Sequence, residues 1–274
     1  MISGCLYKVR EGGLIQAITI NVKKLLIPYL CLNIFCAIVY SLIAQNPIRQ
    51  LLKLTYGIVI GGFTPSGASW FVIVLFFIKC LYDFLSYKKV EKIAIPLIFV
   101  LTIIINYFPP SHNFFYFKSV LIGICFFHLG RVSFSLVNKA NINTFASLII
   151  SVALFIVSYN ITRLNGRVSL FAGTMGNSPL MFYGNAIIGS LGIISLSFFT
   201  KKQNKTITEM SNASIAVVLL HMIFVDGTRI CVKHFDISGV TLFVLYLFCS
   251  VVIYYLCFII FKFTNKKIPF IWGK

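Results

Sequence analysis

Two lysines set against a long apolar run constrain this chain more than any other feature. Lys23 and Lys24 precede an apolar stretch that reaches roughly Ala44. A helix of about 20 such residues crosses the hydrocarbon core of a bilayer. Positive charge stays on the cytoplasmic side during insertion, so the pair marks that side of the span. Pro28 falls in the first turn of the run, where a missing N–H costs little. This boundary sets the sidedness expected of every later segment.

Runs of this kind recur at approximately 25–44, 68–86, 93–109, 114–130, 143–160, 179–199, 210–230 and 240–261. They are long and do not alternate apolar with polar, so the spanning form is helical rather than a β-barrel. Across 274 residues, 59% are hydrophobic and 11% charged, with a mean hydropathy of +0.94. A soluble domain of that length needs far more polar surface. The predicted fold is therefore all-α, a polytopic membrane bundle of about eight transmembrane helices plus an N-terminal partial or interfacial helix. Residues 1–24 read as a cytoplasmic segment. It holds the remnant of a helix at Met1–Tyr7 and a surface-lying stretch at 14–22. Residues 25–262 form the membrane domain and 263–274 a cytoplasmic basic tail.

The net charge is +18, from 24 basic and 6 acidic residues. The basic residues lie between apolar runs, so chain orientation and anionic headgroups account for them, and nucleic acid is not an expected partner. A cytoplasmic N-terminus places most of them inside and puts the C-terminus inside as well. Two outer loops follow from that orientation. Residues 45–67 suit a half-buried or re-entrant segment, and residues 161–178 are polar and glycine-rich, with Arg163 and Arg167. The eight cysteines form no C-x-x-C pair and mostly fall inside apolar runs, as buried thiols do.

Ionisable groups inside spans are costly and are functional candidates by default. His221, in Leu219-Leu220-His221-Met222, reads either as an acid/base or substrate-orienting imidazole or as a histidine bonded within the bundle. Asp226 and Arg229 are spaced to pair on one helix face, and so are Lys79 and Asp83. His128 is expected at an interface, and His112 and His234 in loops. No metal-ligand spacing, nucleophile elbow or phosphate loop occurs. Trp70 opens the second span from outside, and Asn177, Tyr183 and Asn185 cluster at the outer start of the sixth. A buried Asn must find partners or bind something polar.

Several of these pieces stand in order along the chain: Ile2-Ser3-Gly4-Cys5-Leu6, Lys23-Lys24-Leu25-Leu26-Ile27-Pro28-Tyr29 and Trp70-Phe71. Gly176-Asn177 with Phe182-Tyr183-Gly184-Asn185 and then Leu219-Leu220-His221 complete the set. Together they resemble the membrane acyltransferase 3 family, in particular the O-acetyltransferases of surface polysaccharides, including fucose 4-O-acetylase-like proteins. The resemblance implies no bound cofactor but an acyl donor, acetyl-CoA or another acyl-CoA, used from the cytoplasm. Its acyl group would pass to a hydroxyl of a lipid-linked or surface glycan, in the bacterial inner membrane. It implies donor contacts at Lys23, Lys24 and Tyr29, and acceptor contacts at Trp70, Arg167, Asn177, Asn185 and His221. The family's first basic place, three residues before Lys24, is Asn21 here. Lysine also lacks the bidentate fork that arginine offers to phosphate.

The family normally opens with a span carrying an arginine and a catalytic histidine, and this sequence begins at what corresponds to the end of the second span. The expectation is an N-terminally truncated member whose usual base is missing and whose activity as it stands is in question. His221 is then the candidate for orienting substrate rather than a replacement base. A glycan flippase, polymerase or transporter is the alternative, with Arg163 and Arg167 contacting an anionic glycan or lipid phosphate.

Overall fold

The computed structural model describes residues 1–8, 12–60, 67–107, 114–139, 143–198, 205–234 and 239–273. These are helical almost throughout, with one isolated antiparallel bridge between Ser169 and Thr174. In chain order the helices are α1 (Ile2–Cys5), α2 (Gly13–Asn21), α3 (Ile27–Ile43), α4 (Pro47–Ile60), α5 (Trp70–Tyr87) and α6 (Glu91–Tyr107). Then come α7 (Phe117–Lys139), α8 (Thr144–Asn165), α9 (Pro179–Ser197), α10 (Lys205–Asn212), α11 (Ser214–His234) and α12 (Gly239–Lys267). Each span expected from the sequence coincides with one of them. The chain is an all-α helical bundle.

Five helical runs among the described residues are long and apolar enough to cross a membrane: Gly13–Ile43, Gly67–Tyr87, Thr144–Asn165, Pro179–Ser197 and Gly239–Lys267. Of the other expected spans, α6 has only 17 residues. The remaining two fall on α7, which carries Lys118, His128 and Arg131, and on α11, which carries His221, Asp226 and Arg229.

The stretch 14–22 was expected as a separate surface piece, but it runs into α3 without a break. A π turn at Val22–Leu26 joins them, so Gly13–Ile43 is one helical run of 31 residues. In that turn the Ile27 N–H bonds the Val22 carbonyl, five residues back. Pro28 brings no N–H to the ladder, so the turn below it lacks one bond and widens. Lys23 and Lys24 stand on this widened turn.

By internal packing the chain divides into two units, one of residues 1–18 with 77–203 and one of 19–76 with 204–274. In the first, α8 and α9 pair closely, and the Ser151 hydroxyl donates to the Gly192 carbonyl at 2.9 Å. The Thr102 and Tyr183 hydroxyls bond at 2.8 Å and tie α6 to α9. Phe126 of α7 packs on Phe182 and Tyr183.

In the second unit α3 is the centre. Tyr29, Leu32, Cys36 and Ala37 are buried, with Leu54 and Ile58 of α4 and Leu219 and Leu220 of α11. Asn46 caps α4 by accepting the Arg49 N–H at 3.2 Å. Of residues 263–274, expected as a cytoplasmic basic tail, 263–273 are described and are largely helical. α12 continues to Lys267, and a 3-10 turn at Pro269–Trp272 buries Trp272 edge-on against Phe261 at 5.0 Å. An aromatic ring at the end of a basic segment has apolar surface to bury, and α12 provides the face.

Helices α8 and α12 each expose apolar side chains. Phe145, Ile149 and Ile156 of α8 and Phe243, Phe248 and Ile259 of α12 are exposed. An exposed apolar surface this extensive is what lipid covers. The expected re-entrant segment is α4 in its first part, while 61–66 lie outside the described residues. His112 and the His234 side chain lie outside them as well.

Candidate functional site

The second unit gathers most of the candidate residues around α3. At one end the exposed side chains of Lys23 and Lys24 form a basic edge. The sequence has no Asp or Glu from Gly12 to Tyr82, so this edge lacks a carboxylate of its own along that stretch. Tyr29 begins the next part of the helix but is only 1% exposed, and its hydroxyl donates to the Ile58 carbonyl at 3.4 Å. Tyr29 is therefore an internal packing residue that fixes α4 on α3.

Further along α3 a buried polar pair appears that the sequence reading missed. Asn33 is fully buried, and its Nδ2 donates to the Tyr29 carbonyl at 2.8 Å. The Ser69 hydroxyl, also fully buried, donates to Asn33 Oδ1 at 2.9 Å. Ser69 ends the short 3-10 turn Gly67–Ser69 that leads into Trp70. The pair thus anchors the entry of α5, where Trp70 sits half-buried with its ring edge-on to Phe71 at 6.3 Å. The signal was present: an Asn within an apolar span is costly unless bonded.

α11 packs against α3 and against the same 3-10 turn. The Cys36 thiol points to the Leu219 carbonyl at 3.9 Å, and Tyr40 donates to Asp226 Oδ2 at 2.7 Å. Asp226 also meets Arg229 at 3.4 Å, as their spacing predicts. Between these contacts lies His221, half-buried, with Nδ1 at 2.8 Å from the Val217 carbonyl. A carbonyl only accepts, so Nδ1 carries a hydrogen, and the tautomer with that hydrogen has its lone pair at Nε2. That nitrogen makes no hydrogen bond among the described residues. It is suited to accept a hydrogen bond from a hydroxyl.

The first unit holds the remaining candidates in the loop 166–178 and at the start of α9. Arg167 is exposed. Asn177 donates its backbone N–H to the Asn165 carbonyl at 2.8 Å, and its side chain to the Leu164 carbonyl at 3.3 Å. Asn165, 1% exposed, clamps this loop: Nδ2 donates to the Met175 carbonyl and Oδ1 accepts the Ser178 N–H, both at 2.8 Å. Gly176, at φ +78, passes so near that an added Cβ would stand 2.7 Å from Asn165 Nδ2. Asn177 is thus engaged in closing the loop. Asn185 donates to Thr162 at 2.8 Å, while its Oδ1 is enclosed without a partner among the described residues. An acceptor left that way costs about 1–3 kcal/mol.

The first unit also contains a polar cluster that the sequence reading did not assemble. Tyr7 donates to Asp83 at 2.6 Å, Tyr82 and His128 Nδ1 meet at 2.9 Å, and Arg131 donates to Tyr82 at 3.2 Å. The Arg131 guanidinium lies over both tyrosine rings, 5.5 and 5.6 Å from their centroids. Burial first, and then the bond to Asp83, push the Tyr7 phenol above its ordinary pKa. A cavity of about 40 Å³ beside it, lined by Tyr7, Gly13, Asp83 and Ser86 among others, has room for water. His128, read as interfacial, is thus held inside a bonded cluster.

The candidates therefore divide between the units, with Lys23, Lys24, Tyr29, Trp70 and His221 in the second and Arg167, Asn177 and Asn185 in the first. No curated protein matches the chain in sequence. No solved structure matches it either. A family model described as an acyltransferase domain matches residues 1–262, nearly the whole sequence, and the chain belongs to this acyltransferase 3 family.

Proposed function

We propose that this protein is an integral-membrane O-acyltransferase that moves an acyl group, acetyl in the first instance, from acyl-CoA to a hydroxyl of a lipid-linked or cell-surface glycan. Family membership carries the reaction class. In the reaction the sugar oxygen attacks the thioester carbonyl carbon and the C–S bond breaks. The hydroxyl proton leaves through a general base and ends on the CoA thiol. On this reading the exposed Lys23–Lys24 edge receives the donor phosphates from the cytoplasm, with both chain ends on that side of the inner membrane.

Tyr29, being buried, supports that edge through packing rather than contact. His221 Nε2 accepts the hydrogen bond of the incoming hydroxyl and orients it, and Trp70 offers a ring face to the sugar. Arg167, Asn177 and Asn185 serve the acceptor on the outer side. Of these, Arg167 has an exposed guanidinium and Asn185 an unused acceptor oxygen.

The test is mass spectrometry of surface glycan from cells with and without the protein, paired with titration of labelled acetyl-CoA. Loss of ester groups on deletion, with donor binding that weakens in Lys23→Ala/Lys24→Ala, supports the reading. Polymer export or chain length that changes while esterification does not would replace it with a transport role.

A further inference from the structure

The Lys23–Lys24 turn does not stand alone. The 3-10 turn Pro269–Trp272 packs on it, and Gly273 meets it backbone to backbone. Gly273 has φ +72, and a Cβ there would collide with the Lys23 carbonyl oxygen and stand 2.9 Å from Lys24 Cα. Trp272 holds this seat from within. It is 7% exposed, its Nε1 donates to Thr264 Oγ1 at 3.0 Å, and its ring lies against Phe261. The fold thus binds the end of α12 to the start of α3.

Exposed lysines flank that junction. Lys262, Lys266 and Lys267 are exposed on the last turns of α12, and Lys23 and Lys24 are exposed on the turn that receives its end. The sequence has no acidic residue from Gly12 to Tyr82 and none after Asp236. Ammonium groups on adjoining turns repel one another, and an anionic ligand relieves that repulsion. The ligand chemistry that fits is phosphate, in several groups. An acyl-CoA carries a diphosphate and a 3′-phosphate, whereas a bilayer lipid presents one phosphate per headgroup.

We infer that the C-terminal turn is a structural wall of the acyl-donor site, and that Lys262, Lys266 and Lys267 bind donor phosphates together with Lys23 and Lys24. This rests on the proposed donor use at the Lys23–Lys24 edge. Gly273 and Trp272 are positioning residues, since they act through the backbone of the lysine pair.

The experiment measures acetyl-CoA affinity for the full chain in neutral phosphatidylcholine nanodiscs. It is repeated with acetyl-CoA lacking its 3′-phosphate and, separately, with anionic vesicles. The lysine substitutions lie on the exposed surface, so Lys262→Ala/Lys266→Ala/Lys267→Ala folds normally, and its unfolding midpoint checks this. Each lysine lost should raise Kd about threefold, the scale of an exposed ion pair. The loss should shrink for the donor without its 3′-phosphate. Gly273→Val should weaken the donor at least as much as Lys23→Ala/Lys24→Ala does.

If Lys23→Ala/Lys24→Ala weakens the donor but neither the α12 triple variant nor Gly273→Val does, the wall is disproved and the proposed function stands. If the triple variant alters only attachment to anionic vesicles, the lysines serve lipid and the inference fails. If the wild type binds no acetyl-CoA at all, both readings fall.

Discussion

The hydrogen bond between Ser69 and Asn33 can be weighed by a double-mutant cycle. Both residues are fully buried, and the bond is 2.9 Å long. Ser69→Ala leaves Asn33 Oδ1 without its donor. Asn33→Leu keeps the side-chain volume roughly constant but strands the Ser69 hydroxyl and removes the Nδ2 bond to the Tyr29 carbonyl. A buried polar group stranded in this way costs about 1–3 kcal/mol. The double variant strands neither, so its cost should fall well below the sum of the two. Interhelical bonds in membrane proteins couple by about 0.6 kcal/mol on average and about 1.7 at most. Zero exposure on both sides excludes water as a substitute partner, which places this pair toward the upper part of that range, at about 1–1.5 kcal/mol. The assay is reversible unfolding in mixed micelles followed by circular dichroism, for the wild type and the three variants. Additive costs, with coupling under about 0.3 kcal/mol, would refute the claim that this bond fixes the entry of α5 on α3.

Lys23→Ala/Lys24→Ala should weaken acetyl-CoA binding by about tenfold, or two exposed ion pairs, and leave the unfolding midpoint unchanged because both side chains are exposed. Titration calorimetry beside a thermal melt separates the two effects. Asn165→Ala removes both side-chain bonds of the loop clamp, which lowers the opening free energy of that loop by about 2–3 kcal/mol; hydrogen exchange at the Ser178 N–H, measured peptide by peptide, reads it. His221→Ala should lower acyl transfer while donor Kd stays fixed, and equal loss of both would place the imidazole in general folding instead. A reporter fused after Lys274 should be active only in the cytoplasm, and activity outside would reverse the orientation read from the lysines.

The spans were legible because an apolar run of about 20 residues has few alternatives to a membrane helix. The partners of each helix were not. In lipid a helix can be apolar on every side, as α12 is with Phe243, Phe248 and Ile259 exposed, so no amphipathic stripe announces which face meets protein. The bonds that fix the packing also join distant positions. Tyr7 and Asp83 are 76 residues apart, and Asn33 and Ser69 are 36 apart. Asn177 stood out by its place beside Tyr183 and Asn185 at the start of α9, but its bonds to the carbonyls of Leu164 and Asn165, 13 and 12 residues back, were not readable from that spacing. The C-terminal segment looked like a tail because Lys266 and Lys267 outweigh one tryptophan in composition, whereas the burial of Trp272 decides its structure.

These cases bear on which polar residues carry chemistry. Apolar burial distinguishes poorly between helix pairs in a bilayer, since lipid tails are as apolar as Leu. Polar bonds between helices must then carry more of the pairing, and this chain uses Thr102 with Tyr183, Ser151 with the Gly192 carbonyl, Asn33 with Ser69, and Tyr40 with Asp226. A polar side chain whose capacity is spent in such a bond is poorly placed to act on substrate. His221 keeps a lone pair at Nε2, Asn185 keeps an acceptor oxygen, and Lys23, Lys24 and Arg167 keep exposed cationic groups. Unspent hydrogen-bonding capacity, rather than mere presence inside a span, is therefore the criterion that narrows the search for the reacting groups. By that criterion buried Tyr29 is a packing residue, while Asn177, exposed and with a single side-chain bond at 3.3 Å, keeps capacity as His221 and the lysine edge do.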